Sequence, residues 1–281
     1  VFSEISTEDA KALMRGMVIP PRPDILLALE DAQHSEAPDF AEIARLISAD
    51  MVLSGAVIKT VNSPFFSLST RVNSVQQALQ LLGLKNLANI VQGLVLRQVL
   101  SPASLGDMSE FWDYSSSVAM AAAYLAEAVH GVSSDEAYTL GLFLNCGKPL
   151  MALRFPGYTL QHAVDDHCTN KALIFREEQQ YRVSHNVVGY LLARAWYLPV
   201  ASSLAILHLH DGDISERAVQ WPHVCALIAL AQLAEHIVQR SLHLPEQEGW
   251  PQAEVLLRGL LGLSQDELED LQDSVQQKLN H

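Results

Sequence analysis

Cysteine is scarce in this chain: there are three among 281 residues, Cys146, Cys168 and Cys225, too far apart to form a C-x-x-C unit. An odd set of scattered cysteines excludes a disulfide scaffold and fits reduced, buried thiols in a cytoplasmic protein. Basic residues are also few. Eighteen Lys and Arg stand against 32 Asp and Glu, a formal charge of -14. No Lys or Arg cluster reverses that sign locally, so direct binding of DNA, RNA or an anionic membrane is not expected. Long uncharged apolar runs are missing too. The longest apolar stretch, which begins at Cys225, is interrupted by Gln232, Glu235 and His236, so no membrane span is expected. The first residues lack the basic-then-apolar order of a signal peptide. There is no G-x-x-x-x-G-K-[ST], no G-x-G-x-x-G and no G-x-S-x-G, which removes the P-loop, dinucleotide and nucleophile-elbow chemistries. No pair of alternating strands flanks a hairpin turn.

What remains is helical. Ala, Leu, Gln and Glu are abundant, and apolar residues recur at spacings of three and four. Pro20, Pro21 and Pro23 stop any earlier helix and pre-set the next. Pro38 opens a second helix with Phe40, Ile43, Ala44 and Ile47 on its inner face. Asp50 caps a third, which Asn62, Ser63 and Pro64 end. The stretch from Pro64 to Ser74 reads as a loop whose Phe65, Phe66 and Leu68 tuck inward. Ser74 caps a long apolar pattern containing Gly83, so two helices are expected to meet there. Further helices follow: an Ala-rich one from Ser109, one capped by Ser134 that Gly147 and Pro149 interrupt, one entered from Ser184, and one starting near Pro222. A last one is capped by Ser264, with Glu267 at the capping-box position. The composition is 49% hydrophobic, within the globular range.

Candidate chemistry is thin. His208 and His210 are two residues apart, a spacing that does not share a helix face. "DDHC" at 165–168 offers Asp, His and Cys, yet no second ligand cluster stands at a short fixed distance. The adjacent carboxylates Asp165–Asp166 and Glu177–Glu178 diverge on a helix and read as solvated faces. Cys146 lies near Lys148, which would lower its pKa, but no orienting histidine can be named for it.

Several motifs in order resemble the HDOD family, the HD-related output domain of bacterial signalling proteins. Leu46-Ile47-Ser48-x-Asp50 is followed by Val61-Asn62-Ser63-Pro64-Phe65-Phe66, then by Ala78, Leu82, Gly83, Lys85 and Asn86. "FWDYS" at 111–115 resembles a Phe-Trp-x-His-Ser segment, and "GLFLNCGK" at 141–148 resembles Gly-Leu-Leu-His-Asp-Ile-Gly-Lys. "SHNVVGYLLARAWYLPVASSLAILHLH" at 184–210 resembles the His-x-x-Val-Gly segment with its Trp-x-Leu-Pro turn. The resemblance covers roughly residues 17 to 240.

The resemblance implies an all-α fold of two packed helical lobes, the second a degenerate HD-like bundle. The expected parts are residues 1–105, 106–245 and a C-terminal helical extension, 246–281. In the catalytic HD phosphohydrolases a His-Asp pair, an upstream His and a final Asp hold divalent metal. Matched to this chain, those positions fall on Leu144 and Asn145, on Tyr114, and near Gln232. Leucine has no donor, Asn and Gln are weak ligands for a hard cation, and Tyr would have to lose a proton held to about pH 10. The expectation is therefore a non-catalytic regulatory module without metal or cofactor, acting on a protein partner in bacterial signalling. No sensor domain accompanies it in the sequence, so a stand-alone form is expected. Gly147 and Lys148 are read as helix-end residues, Cys146 as core. Asn62, Phe65, Phe66, Lys85 and Asn86 are the candidate interaction or interlobe residues, with a helix cap and core anchors as their structural alternative. One rival is a divergent metal-dependent phosphohydrolase of a nucleotide or cyclic dinucleotide, with a displaced site drawn from His162, Asp166, His167, His208 and His210. The other is a small-molecule sensor.

Overall fold

In the computed structural model, residues 17–63, 66, 70–158, 160, 170–212, 214–244 and 249–279 are described, and among them regular structure is helical with no strand. The described residues divide into two compact units, one of 21–99 with 278–279 and the other of 17–20 with 100–277.

The first unit is built on α1 (Asp24–His34), α2 (Phe40–Ser48), α3 (Met51–Val61) and α4 (Val75–Leu100). Extended Pro23 fixes the start of α1. The cap of α2 is Asp39, whose side chain accepts from the Ala41 and Glu42 amides. Pro38 therefore precedes the cap instead of opening the helix. Ile43, Ala44 and Ile47 form its buried face, and α2 packs between α1 and α3. Asp50 caps α3 through the Val52 and Leu53 amides, as its position predicts. Ser74 caps α4, accepting from the Gln77 amide at 3.1 Å, while the Gln77 side chain accepts from the Asn73 amide at 2.8 Å.

Helix α4 breaks at Gly83, where φ is 78°, a conformation open to glycine at little cost. By length and composition it is apolar enough to cross a membrane. Its Leu79, Leu87, Val91 and Leu96 are buried within the protein, as in the core helix of a globular domain.

The second unit contains α5 (Ser109–Ala126), α6 (Ser134–Phe143), α7 (Gly147–Arg154), α8 (Asn170–Tyr181), α9 (His185–Ala195), α10 (Val200–Leu207), α11 (Ile214–Arg217), α12 (Pro222–Ser241), α13 (Trp250–Leu261) and α14 (Gln265–Leu279). Thirteen of the twenty residues of α12 are buried, which makes it the central helix. It packs against α5, α6, α10 and α13, and α9 packs against α7 and α10. The Ala-rich α5 lets α6 approach closely: a Cβ on Gly141 would lie 2.5 Å from the Ala119 Cα. Ser133, one residue before the expected Ser134, caps α6. Trp196 is packed edge-on against Phe143, and its indole N–H donates to the Pro20 carbonyl at 3.0 Å. Trp250 of α13 stacks on His236 at 3.7 Å between ring centroids, anchoring that helix to α12. The capping box at α14 forms as its sequence predicts, with Ser264 and Glu267 bonded reciprocally.

Candidate functional site

Helix α6 ends at Phe143, and a three-residue turn, Leu144-Asn145-Cys146, leads into α7 at Gly147. Leu144 is buried. A Cβ on Gly147 would lie 2.0 Å from the His185 carbonyl oxygen and 2.8 Å from the Gly189 nitrogen. The glycine is there because α7 and α9 meet backbone to backbone, not because it ends a helix. Lys148 likewise departs from its expected place at a helix C-terminus: it lies in the first turn of α7 and is 5% exposed. Cys146 is core, as expected, and burial pushes its thiol up, opposite to activation by the neighbouring lysine.

Around this turn the second unit buries a polar cluster. Asn145 donates from Nδ2 to Oε1 of Glu235 on α12 at 3.0 Å, and both side chains are buried. One turn further along α12, Gln239 Nε2 donates to the Tyr114 hydroxyl at 3.3 Å. On the α8–α9 side, Glu177 accepts from the His185 amide at 2.9 Å, from His185 Nδ1 at 2.7 Å and from the Tyr158 hydroxyl at 2.7 Å. Glu177 and His185 are both almost fully buried.

The electrostatics follow from this geometry. Burial pushes the Glu177 carboxyl up, but the His185 and Tyr158 donors outweigh it and hold it below the usual range. Burial holds His185 down, helped by the charge of Lys148 and resisted by Glu177. Its Nδ1 faces the carboxylate at 2.7 Å. Burial raises Glu235, opposed by Lys148 and by the Asn145 bond. Burial lowers Lys148, opposed by the carboxylates of Glu235 and Glu177. Tyr114 is held well above its ordinary value by burial and by the charge of Glu235.

These residues do not fit a divalent metal. Leu144 offers no donor, Asn145 turns its amide N–H toward Glu235, and the phenol of Tyr114 is held against deprotonation. Gln232 does not face the turn at all: its Nε2 donates to the Leu209 carbonyl, and the α12 side chain opposite Asn145 is Glu235. Among the described residues, no group of three or more His, Cys, Asp and Glu side chains is placed to hold a metal ion.

Of the displaced set, His162, Asp166 and His167 lie outside the described residues. His208 is engaged with Asp211 at 2.8 Å, and Arg217 shares the same carboxylate oxygen at 2.9 Å. His210 is only partly exposed, on the turn after α10.

The first-unit candidates have local work. Asn62 donates from Nδ2 to the Ile58 and Val72 carbonyls at 2.9 and 2.7 Å and accepts from the Val72 amide at 2.8 Å, tying the end of α3 to the segment that enters α4. Asn86 donates to the Leu82 carbonyl at 2.8 Å, across the break at Gly83. Lys85 is exposed beside it. Phe66 is half-buried, and Phe65 lies outside the described residues.

Glu177, expected on a solvated face, is instead buried and bonded to His185 and Tyr158, and neither Glu235 nor the burial of Lys148 was expected at the site. The available signal was the pair Glu235-His236 inside an otherwise apolar stretch, where a charge that is not on a solvated face must have a buried partner.

A family model for the HDOD domain matches residues 19–212. An uncharacterized protein of Treponema pallidum (strain Nichols) is 25% identical over 186 residues, 64% of this chain. The match spans 35% of that relative's own length. An HDOD domain protein of unknown function from Geobacter sulfurreducens has a similar structure, with a TM-score of 0.71, 23% identity, and 97% and 96% of the two chains covered. A candidate phosphohydrolase from Shewanella amazonensis SB2B gives a TM-score of 0.70 at 21% identity, covering 95% of this chain and 96% of that one. A candidate signal transduction protein from Marinobacter aquaeolei VT8 gives 0.72 at 21% identity, covering 97% and 64%. At these identities the structural likenesses establish the fold.

Proposed function

The chain belongs to the HDOD family, and from that premise we propose that it is a non-catalytic regulatory module of bacterial signalling that works by contacting a protein partner in the cytoplasm. The observation that carries the reading is the Asn145–Glu235 hydrogen bond beside buried Leu144. Where metal-dependent relatives need ligands facing a cation, these side chains satisfy one another. A water activated for attack on a phosphoester needs an open coordination position, and this turn is packed shut. The acidic surface supports a protein partner over nucleic acid or anionic lipid.

Two measurements on the purified full chain test the reading. Elemental analysis should find iron, manganese and zinc far below one per chain, and bis(p-nitrophenyl) phosphate should not be hydrolysed with any of them added. A stoichiometric metal together with turnover would overturn the proposal. Cross-linking in the native host should then trap the chain on a defined protein rather than on nucleic acid.

A further inference from the structure

We infer that the outer face of α13, together with the acidic helix α14 that follows it, is a docking surface for the partner protein, and that the partner presents there an amphipathic helix whose apolar stripe is flanked by Lys or Arg. The inference rests on the reading of the chain as a module that contacts a protein partner. The surface lies outside residues 19–212, the part matched by the family model.

Helix α13 is apolar on both sides. Trp250, Leu257 and Leu261 are its buried residues. The opposite face carries Pro251, Gln252, Val255, Leu256 and Gly259, all exposed, with Val255 at 60% and Leu256 at 38%. A surface helix ordinarily turns charged residues outward. The two charged side chains of α13 are held elsewhere: Glu254 accepts from the Trp250 indole N–H at 3.0 Å, and Arg258 donates to the Leu263 carbonyl at 3.2 Å. Residues 252, 255, 256 and 259 follow the spacing at which one helix receives another. Gly259 adds room. A Cβ there would meet nothing within 4 Å, and alanine would be the better helix former at that place. The missing side chain leaves a notch for a large apolar residue of the incoming helix.

Charge decides what that helix carries. Gly262 and Leu263 lead directly from α13 to α14, where Asp266, Glu267, Glu269, Asp270 and Asp273 are exposed and Lys278 is the one base. The apolar strip therefore runs into an acidic border. A second copy of this chain would bring the same carboxylates and the same net charge of -14 to the contact, and like charges oppose association. An apolar stripe flanked by Lys or Arg satisfies the strip and the border together.

The test uses the full chain and two fluorescently labelled synthetic helices of equal length. One has Leu at every third and fourth position and Lys elsewhere; the other has Glu in place of Lys. Fluorescence anisotropy should show binding of the Lys helix and none of the Glu helix. Val255→Ser with Leu256→Ser leaves the charge unchanged and should weaken binding about tenfold. Asp266→Asn with Asp270→Asn should weaken it about threefold at low salt and less as salt rises. Val219→Ser, at an exposed valine ahead of α12, is the control and should bind as wild type does. No binding of the Lys helix, equal binding of the two helices, or equal loss in the control and the double serine variant overturns the inference. So does a dimer of the wild-type chain in sedimentation that the double serine variant abolishes, since the occupant is then a second copy. The two readings fail separately. A native partner trapped by cross-linking that binds the double serine variant as tightly as wild type removes this surface and leaves the regulatory role. A chain that holds metal and turns over phosphodiester removes the role, while serine-sensitive binding of the Lys helix still supports the surface.

Discussion

Asn145→Asp replaces an NH2 group by an oxygen and leaves the shape of the side chain intact, so it probes charge alone. The Asn145 nitrogen is 3.0 Å from Glu235 Oε1. Two ionised carboxylates at that separation repel by about 5 kcal/mol at an effective dielectric near 20. The alternative is to hold one proton at neutral pH. Holding it at pH 7 on a group that ordinarily titrates near 4 costs about 4 kcal/mol, and at pH 5 about 1.5 kcal/mol. The cheaper route sets the loss. The sign follows from linkage. The folded-state pKa is raised, so the stability of the variant is greatest at low pH and is lost as pH climbs above about 4. Urea denaturation of the full chain should therefore show the variant destabilised by up to about 4 kcal/mol at pH 7 and by much less at pH 5. Equal midpoints for variant and wild type at pH 7 would refute the reasoning. They would mean that a bound cation screens the pair, and the turn would no longer read as closed to metal.

Burial and the charge of Arg240 push His236 down to about 4, so the unfolded chain takes the proton first and stability is lost as pH falls from 6.5 toward 4. Between pH 7 and pH 5 wild type should lose about 2 kcal/mol more than His236→Phe, which keeps the stack on Trp250; equal losses in urea titrations would exclude this origin. Gly147→Ala forces a methyl onto the α9 backbone and should cost about 2–4 kcal/mol in thermal unfolding, whereas Gly259→Ala, with open space around its Cα, should be nearly silent. Asn62→Ala removes three hydrogen bonds and should cost about 1–3 kcal/mol, with faster hydrogen exchange at the Val72 amide as the local sign. Asp50→Ala unties two amides at the start of α3 and should cost about 1 kcal/mol.

Much of the fold is written locally. The Asp50 and Ser74 caps, the Ser264–Glu267 box and the break at Gly83 each follow from one residue type at one place, because each satisfies backbone groups within four residues of itself. The errors of one residue at Pro38 and Ser134 are of the same local kind. At Ser133-Ser134 two capping-competent residues are neighbours and only the first hydrogen bonds decide between them, while at Pro38 a residue suited to a first turn stands just before Asp39, whose side chain can cap. The absence of metal donors at Leu144 and Asn145 was legible for a different reason: the family resemblance places these residues at the His-Asp pair, and their chemistry, a side chain without a donor and a neutral amide, does the rest without geometry.

What stayed hidden was which side chains meet. The turn at 144–146 keeps right-handed helical dihedrals at Leu144 and Cys146, so neither a positive φ nor a breaker inside it marks the end of α6. The one clue is Pro149, which is tolerated in the first turn of a helix and so implies a start just before it. Read that way, Lys148 moves from the end of one helix to the beginning of the next, and its charge changes from favourable to unfavourable with respect to the dipole. On α12 the difficulty is one of phase. Gln232 and Glu235 are three residues apart and share a face, so periodicity alone lets either point at Asn145. They differ by about 4.5 Å along the axis. That rise sends Gln232 to the Leu209 carbonyl and Glu235 to the turn. A shift of one helical turn therefore separates a site that has only lost its ligands from one that keeps a buried carboxylate bonded to the turn.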